Sequence, residues 1–260
     1  MIELTIDERF RRVSDGSSVG TQNKYFFENY WYKTNSNGYE HYAEYLVTLL
    51  LEHSTIKNYA KYEICKVNGK NACRSQSFTK GNENFISLER LYSIYRGGSL
   101  QNKIYEFSDV QDRKKYVVDF VKDIADLDIS AYVDIQLQLD CLTLNVDRHL
   151  HNIGLLQGPD CFREAPIFDN GASLFSNFTV FPPYLDLDEC LENAVARPFS
   201  GSFTQQVDMK HPLFHVNYNA LFKDLDKVEF SCRGIEVLKS RLLQFRSFDV
   251  MQGMSLFKEV

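Results

Sequence analysis

Long apolar runs are missing from this sequence. The longest, YLVTLLL at residues 45–51, falls far short of the ~20 residues that cross a bilayer. The opening MIELTIDERF also lacks the pattern of a secretory leader, so the expectation is a cytoplasmic protein with no membrane span. Blocks of Lys or Arg are missing too. With 29 basic and 35 acidic residues the net charge is −6, which lacks the electrostatic footprint of a nucleic-acid binder. No nucleic-acid partner is expected, and an anionic ligand would need local positive charge or a metal. The six cysteines, at 65, 73, 141, 161, 190 and 232, form no C-x-x-C pair, which argues for buried free thiols over bridges or a zinc site. Only 6 prolines and 13 glycines occur in 260 residues, with no repeat and no low-complexity linker, so a disordered chain is excluded.

What is present suits one domain of two lobes or two small domains, with 44% apolar residues to build a core. Residues 1–34 read as strands and turns: IELTI alternates, VSDGSSVGTQNK is small and polar, and YFFENYWYKT is aromatic around an Asn turn signal. From Ser36 the period becomes helical, with Ala43, Leu46, Val47 and Leu50 on one stripe and Glu40 and Glu44 four apart on a neighbouring face. The Asn-Gly of AKYEICKVNGKNACRSQSF predicts a hairpin, and TKGNEN at 79–84 a connector. Beyond it come three helical stripes: Val117, Phe120, Val121 and Ile124; Tyr132, Ile135, Leu139, Leu142 and Val146; and Ile235, Leu238, Leu242 and Phe245. DIQLQLD also alternates like a strand, but the longer spacing favours a helix capped by Ser130 and ending near Asn145, with Asp134 and Asp140 turned to solvent. The pattern predicts an α+β fold: a β-rich 1–84 with one helix, and a helical 85–260. The segment 197–210 is given no site.

One stretch is out of keeping with a plain core. LNVDRHLHNIGLL, residues 144–156, sets Asp, Arg, two His and two Asn against apolar residues. Burying such groups unpaired costs roughly 2–7 kcal/mol each, so they need partners or a ligand. Pairing IGLL antiparallel with APIF, 153 with 168 and 156 with 165, sets Asn152 opposite Asp169 and gathers Asp147, Asn152 and Asp169 at one edge. Two carboxylates and an amide are oxygen ligands suited to Mg2+, which favours few carboxylates together with substrate phosphates. Asp147 and Asn152 are five apart, the interval of the protein-kinase catalytic loop, and FDNG at 168–171 stands where the metal-binding Asp comes after a hairpin; Arg148 follows the Asp instead of preceding it. An Asp and an Asn at this interval can also be ordinary turn caps, and the hairpin and FDNG are what favour chemistry.

DRHLHNIGLL followed by APIFDNGASL resembles the HipA-like branch of the protein-kinase superfamily, and DRHxxN…D is also similar to phosphatidylinositol kinases; the likeness covers most of the chain. It implies a bilobal protein-kinase-like fold of a bacterial protein, with ATP and Mg2+ in the cleft and a protein acceptor. SDGSSVGTQNK is similar to the phosphate-covering loop, with Gly16, Ser17, Ser18 and Gly20 as nucleotide contacts, although it is not G-x-G-x-x-G. The resemblance further implies Lys33 of YWYKT on the α/β-phosphates, Glu44 holding it, Asp147 as the catalytic Asp, and Asn152 and Asp169 on Mg2+. Phosphorylation of Ser17 or Ser18 as an off-switch is a further implication.

Plainer readings stand beside these. Lys33 could be a snorkelling edge-strand lysine. Glu40 takes the place of Glu44 if the helix is rotated. His149 and His151 read as loop scaffold rather than zinc ligands, Arg148 as a carboxylate partner pinning the loop, and the aromatics of YFFENYWY as core rather than adenine contacts. The alternatives to a serine/threonine protein kinase are a lipid or small-molecule kinase of the same fold, a nucleotide-binding pseudokinase, and an interaction module that uses the fold without ATP.

Overall fold

The computed structural model describes residues 2–12 and 22–256. Strands β1 (Ile2–Leu4), β2 (Arg11–Arg12), β3 (Lys24–Phe27), β4 (Tyr30–Thr34), β5 (Tyr62–Val67) and β6 (Lys70–Gln76) form a six-stranded sheet in the order β1-β5-β6-β4-β3-β2, antiparallel except where β1 runs parallel to β5. Two tight turns set its register. Glu28-Asn29 and Asn68-Gly69 both have positive φ at each central position (49° and 65°, 52° and 74°), the backbone twist that hairpin strands require. The first turn puts Phe26 opposite Trp31 and Lys24 opposite Lys33. Because side chains alternate, these four share one face with Ser75 and Tyr62, while Tyr25, Tyr32, Cys65, Val67 and Ala72 form a small core on the other.

Helix α1 (Glu40–Glu52) lies between β4 and β5 in sequence, and Thr48 Oγ1 accepts from the Tyr62 amide at 3.1 Å. Its start is held by side chains from just outside it. Glu40 accepts from the Asn37 amide and Ser36 hydroxyl at 3.0 and 2.9 Å, and Asn35 accepts from the His41 amide at 3.0 Å. Glu40 is thereby used as a cap. The apolar side of α1, including Leu46, Val47 and Leu50, belongs to the main core built by the helical part of the chain.

That part comes after a connector at 77–83. Strand β7 (Asn84–Ser87) pairs antiparallel with β8 (Gly154–Gln157), which pairs with β9 (Phe162–Glu164). Around them pack α2 (Leu88–Tyr95), α3 (Leu100–Ile104), α4 (Val110–Ala125), α5 (Ser130–Thr143), α6 (Leu187–Asn193), α7 (Phe203–Gln206), α8 (Tyr218–Leu225) and α9 (Arg233–Leu256). The expected stripes of α4, α5 and α9 supply core residues such as Val117, Phe120, Leu139, Leu142, Leu238 and Leu242. Cys65, Cys73, Cys141 and Cys190 are buried free thiols, whereas Cys161 is exposed and Cys232 half-buried.

Three local expectations are corrected. Ser130 is the first helical residue of α5 rather than its cap; Asp128 accepts from the Ser130 amide at 2.9 Å. The helix ends at Thr143, because Leu144 takes a left-handed conformation (φ 55°). The hairpin pairs 155 with 164 and 156 with 163, two residues away from the expected register. Pro159-Asp160 forms the turn, closed by the Gly158 amide on the Cys161 carbonyl at 2.9 Å, with proline in the position a tight turn favours. A two-residue shift keeps every side chain on its expected face. The stretch after Ala165 leaves β8 and bridges to residues 58–60 instead, with Ile167 N donating to Asn58 O at 2.9 Å and Ala60 N to Ile167 O at 2.8 Å.

Candidate active site

Lys33 sits at the centre of a buried charge cluster. Its ammonium donates to Glu44 Oε1 at 2.9 Å, to Asp169 Oδ1 at 2.7 Å and to the Tyr62 hydroxyl at 3.2 Å. The strand directs Lys33 onto the face that α1 covers, and the helical spacing brings Glu44 to meet it. Burial depresses the Lys33 ammonium, but the carboxylates of Asp169 and Glu44 outweigh burial and hold its pKa well above the ordinary value. Asp169 shows the converse: burial raises it, and Lys33 followed by Lys24 outweigh burial and hold the carboxyl below the usual carboxylate range. Lys24 Nζ stands 3.9 Å from Asp169 Oδ2.

Asp169 has a left-handed backbone (φ 60°) at the end of the stretch that left the hairpin, and two bonds fix the residue after it. Asn170 N donates to Glu44 Oε2 at 3.0 Å, and Asn170 Oδ1 accepts from Arg148 Nη2 at 2.7 Å. Arg148 is fully buried. It forms a bidentate pair with Asp140 of α5 at 2.8 and 2.9 Å and donates to the Phe168 carbonyl at 2.7 Å. Four of its five N–H donors are thus accounted for, and the guanidinium ties α5 to both sides of Asp169. Arg148 pins the loop as the sequence suggests; Asp140, expected in solvent, is 1% exposed and is its partner, because α5 is buried on nearly every side.

The loop after α5 carries Asp147 and Asn152. Asp147 is half-exposed, 3.9 Å from Arg197 Nη1 and 4.0 Å from His149 Nε2. Burial moves its carboxyl up, the Asp169 charge adds to this, and His149 and Arg197 oppose it. Asn152 is buried, its amide nitrogen 3.4 Å from the Asp147 carbonyl, while its Oδ1 has no hydrogen-bond partner among the described residues. A buried amide oxygen without a donor is costly in an unliganded protein and suits a cation. Asn152 Oδ1 and the Asp169 carboxylate therefore fit Mg2+. Among the described residues no group of three His, Cys, Asp or Glu could hold a metal, and the unpartnered Nδ1 atoms of His149 and His151 belong to rings stacked edge to face at 5.6 Å.

Two cavities meet this cluster. One of about 330 Å³ runs along the sheet face from Lys24, Lys33, Tyr62 and Asp169 to Phe26, Trp31, Phe78, Phe85 and Phe168. Phe26 and Trp31 line this cavity, whereas Tyr25 and Tyr32 are buried in the small core with Phe27 and Tyr30 packed against it, so the aromatic run is core on one face and cavity wall on the other. The second, about 600 Å³, opens over Asp147 and His149 and is bounded by Glu89, Gln101, His151 and Arg197. The sequence reading named Lys33, Glu44 and Asp169, which lie together, and Asp147 and Asn152, which share the adjoining loop. Gly16, Ser17, Ser18 and Gly20 lie outside the described residues. It missed Lys24, Tyr62 and Arg197. Lys24 could have been found by counting back from the two-residue turn; no local signal marks Tyr62 or Arg197, which reach the site through the sheet and through a long loop.

No family model matches the chain, and no curated protein matches it by sequence. Solved structures that share its fold include two kinases. A proinflammatory kinase from Helicobacter pylori, CtkA, aligns over 100% of this chain and 99% of its own at a TM-score of 0.58 and 16% identity. HipA of the toxin–antitoxin system of Shewanella oneidensis MR-1, in a complex with HipB and operator DNA, aligns over 94% of this chain at 0.50 and 13% identity, and this chain spans 64% of its length.

Proposed function

We infer a function from the site together with an α+β fold, a β-rich part and a helical part, that is similar to the fold of the HipA-like kinases. We propose that the protein is an ATP-dependent phosphotransferase, specifically a serine/threonine protein kinase that moves the γ-phosphate to a protein hydroxyl. The observation that carries this reading is Lys33 bonded at once to Glu44 and Asp169 at the polar end of an aromatic-walled cavity. A cavity of this size and lining suits a nucleobase, with its phosphates toward Lys33.

Asn152 and Asp169 would hold Mg2+, which neutralises phosphate charge in such reactions. Lys33 orients the phosphate chain, and Glu44 keeps Lys33 extended. Asp147 accepts the proton of the acceptor hydroxyl as that oxygen bonds to the γ-phosphorus; the bond to the β–γ bridging oxygen breaks and ADP leaves. A carboxyl shifted up from its ordinary value is better matched to that proton transfer. The partly polar lining of the cavity over Asp147 suits an acceptor that presents a hydroxyl there. Transfer of labelled γ-phosphate from Mg-ATP, offered protein, inositol lipid and small alcohols in parallel, tests the proposal. Labelling of protein supports it; labelling of lipid alone, or of nothing while ATP binds, contradicts it.

A further inference from the structure

One proton in the cluster around Lys33 has no acceptor. An ammonium carries three N–H donors, and those of Lys33 go to Glu44 Oε1 at 2.9 Å, to Asp169 Oδ1 at 2.7 Å and to the Tyr62 hydroxyl at 3.2 Å. Tyr62 is therefore an acceptor here. It accepts a second time, from the Asp169 amide at 3.4 Å. A phenol is also a donor, yet the Tyr62 O–H finds no acceptor among the described residues. The tyrosine is 2% exposed and lines the cavity of about 330 Å³ beside Lys33 and Asp169. A buried donor left unbonded costs free energy, so this proton calls for an acceptor inside the cavity.

The ring is fixed from several sides. Its backbone amide donates to Thr48 Oγ1 of α1 at 3.1 Å, its strand sets it opposite Ser75 of β6, and the Lys33 ammonium lies 4.9 Å from the ring centroid. If Asp169 turns its oxygens toward a cation, Lys33 regains a donor for a phosphate oxygen. An oxygen bonded to that ammonium, itself 3.2 Å from the Tyr62 hydroxyl, comes within reach of the phenolic proton as well. We propose that Tyr62 is a second phosphate-binding residue: its hydroxyl donates to the phosphate chain of a nucleoside di- or triphosphate, alongside Lys33. This rests on the kinase reading and adds to it a neutral donor outside the Lys–Glu–Asp set.

The test titrates Mg-ATP, Mg-tripolyphosphate and adenosine against the full chain as wild type, as Tyr62→Phe and with monofluorotyrosine at position 62, with the unliganded melting temperature of each recorded. Tyr62→Phe keeps the ring over Lys33 and removes the hydroxyl alone. A ring fluorine leaves the phenol protonated at about pH 6.5, far below the ordinary tyrosine pKa of about 10, while making it a stronger donor and a weaker acceptor. A hydroxyl that only holds Lys33 and the Asp169 amide would bind ATP no better once fluorinated; one that donates to phosphate binds it more tightly. The expected result is a loss of ten-fold or more in affinity for Mg-ATP and Mg-tripolyphosphate in Tyr62→Phe, a gain of two-fold or more in the fluorinated protein, and unchanged adenosine affinity in both. Unchanged ATP affinity in Tyr62→Phe overturns the inference, as does equal or weaker ATP binding by the fluorinated protein, or an equal loss for adenosine, which marks a structural role. Should Tyr62→Phe not fold, the fluorinated protein decides. A wild-type protein that binds neither ATP nor adenosine overturns the kinase reading itself. Wild-type ATP binding indifferent to both substitutions overturns this inference alone.

Discussion

Arg148 is where a single side chain sets the shape of the site. Its bonds to Asp140, Phe168 O and Asn170 are all internal, so replacing it leaves Asp140 charged, buried and unpaired. Breaking a buried pair from one side costs about 3–5 kcal/mol, whereas replacing both partners by apolar residues can be nearly neutral. Arg148→Met should lower unfolding free energy by that amount in urea, and the Asp140→Leu/Arg148→Met double variant should recover much of it; a double variant as unstable as the single one contradicts the pairing. His41 gives a pH signature. It is buried with Nδ1 2.7 Å from the Asn35 amide nitrogen, and burial pushes its imidazole down to about 4. The unfolded chain takes up a proton below about pH 6.5 that the folded one refuses. Stability from neutral His41 is therefore complete above that pH and lost as pH falls toward about 4. His41→Phe should flatten the stability profile in this window, as followed by thermal melts. Arg148 was legible in the sequence because an arginine inside a polar loop needs an anion. Asp140 was not, since an apolar stripe tells which side of a helix is buried only when another side is wet.

At the scale of elements, α1 and the segment after Asp169 are tied together. Gly38 bridges to Asn177, Tyr39 N donates to Ser176 O at 3.2 Å, Phe178 N to Asn37 O at 2.8 Å, and the Asn37 and Thr179 side chains are bonded. The Tyr39 hydroxyl donates to Leu174 O at 2.6 Å. These contacts tie the start of α1, the helix that carries Glu44, to the segment that follows Asp169. Gly38 is the point of closest approach: a Cβ there would stand 1.8 Å from Ser176 O. Gly38→Ala should push the segment away, loosen the Glu44–Lys33 pair and reduce phosphate transfer by ten-fold or more with a smaller loss of stability; unchanged transfer would separate this contact from activity. The hairpin of β5 and β6 was legible from Asn-Gly, and α1 from its stripe. The β8–β9 register was not, because two apolar tetrads fit face to face in either of two registers of equal parity, and the choice falls to Pro159. Nothing local to APIF shows that it pairs with residues 58–60.

For the whole molecule, the site joins parts far apart in sequence: Lys33 meets Asp169 and Glu44 meets Asn170. A ligand that bridges them stabilises only the assembled form. Mg-ATP at 100 times its dissociation constant should raise stability by about 2.7 kcal/mol, read as an upward shift in melting temperature, and chelation of the metal should remove most of that shift for ATP while leaving adenosine unaffected. A shift unaltered by chelation contradicts the assignment of Asn152 and Asp169 to Mg2+. The α+β character of the chain was visible in its change from alternating to helical period. Lines of contact between strands and helices were not, because the residues that face the cavity are scattered among apolar strands.

If the protein is the kinase proposed, Asp147 and Asp169 do chemistry rather than hold the fold. The most direct measurement is transfer of labelled γ-phosphate from Mg-ATP to protein by wild type, Asp147→Asn and Asp169→Asn, with melting temperatures taken alongside. Loss of transfer by about 100- to 10,000-fold in the Asp147 variant, a loss at least as large in the Asp169 variant, and a folded protein in both is the expected result. Transfer retained at the wild-type rate in either folded variant contradicts the mechanism.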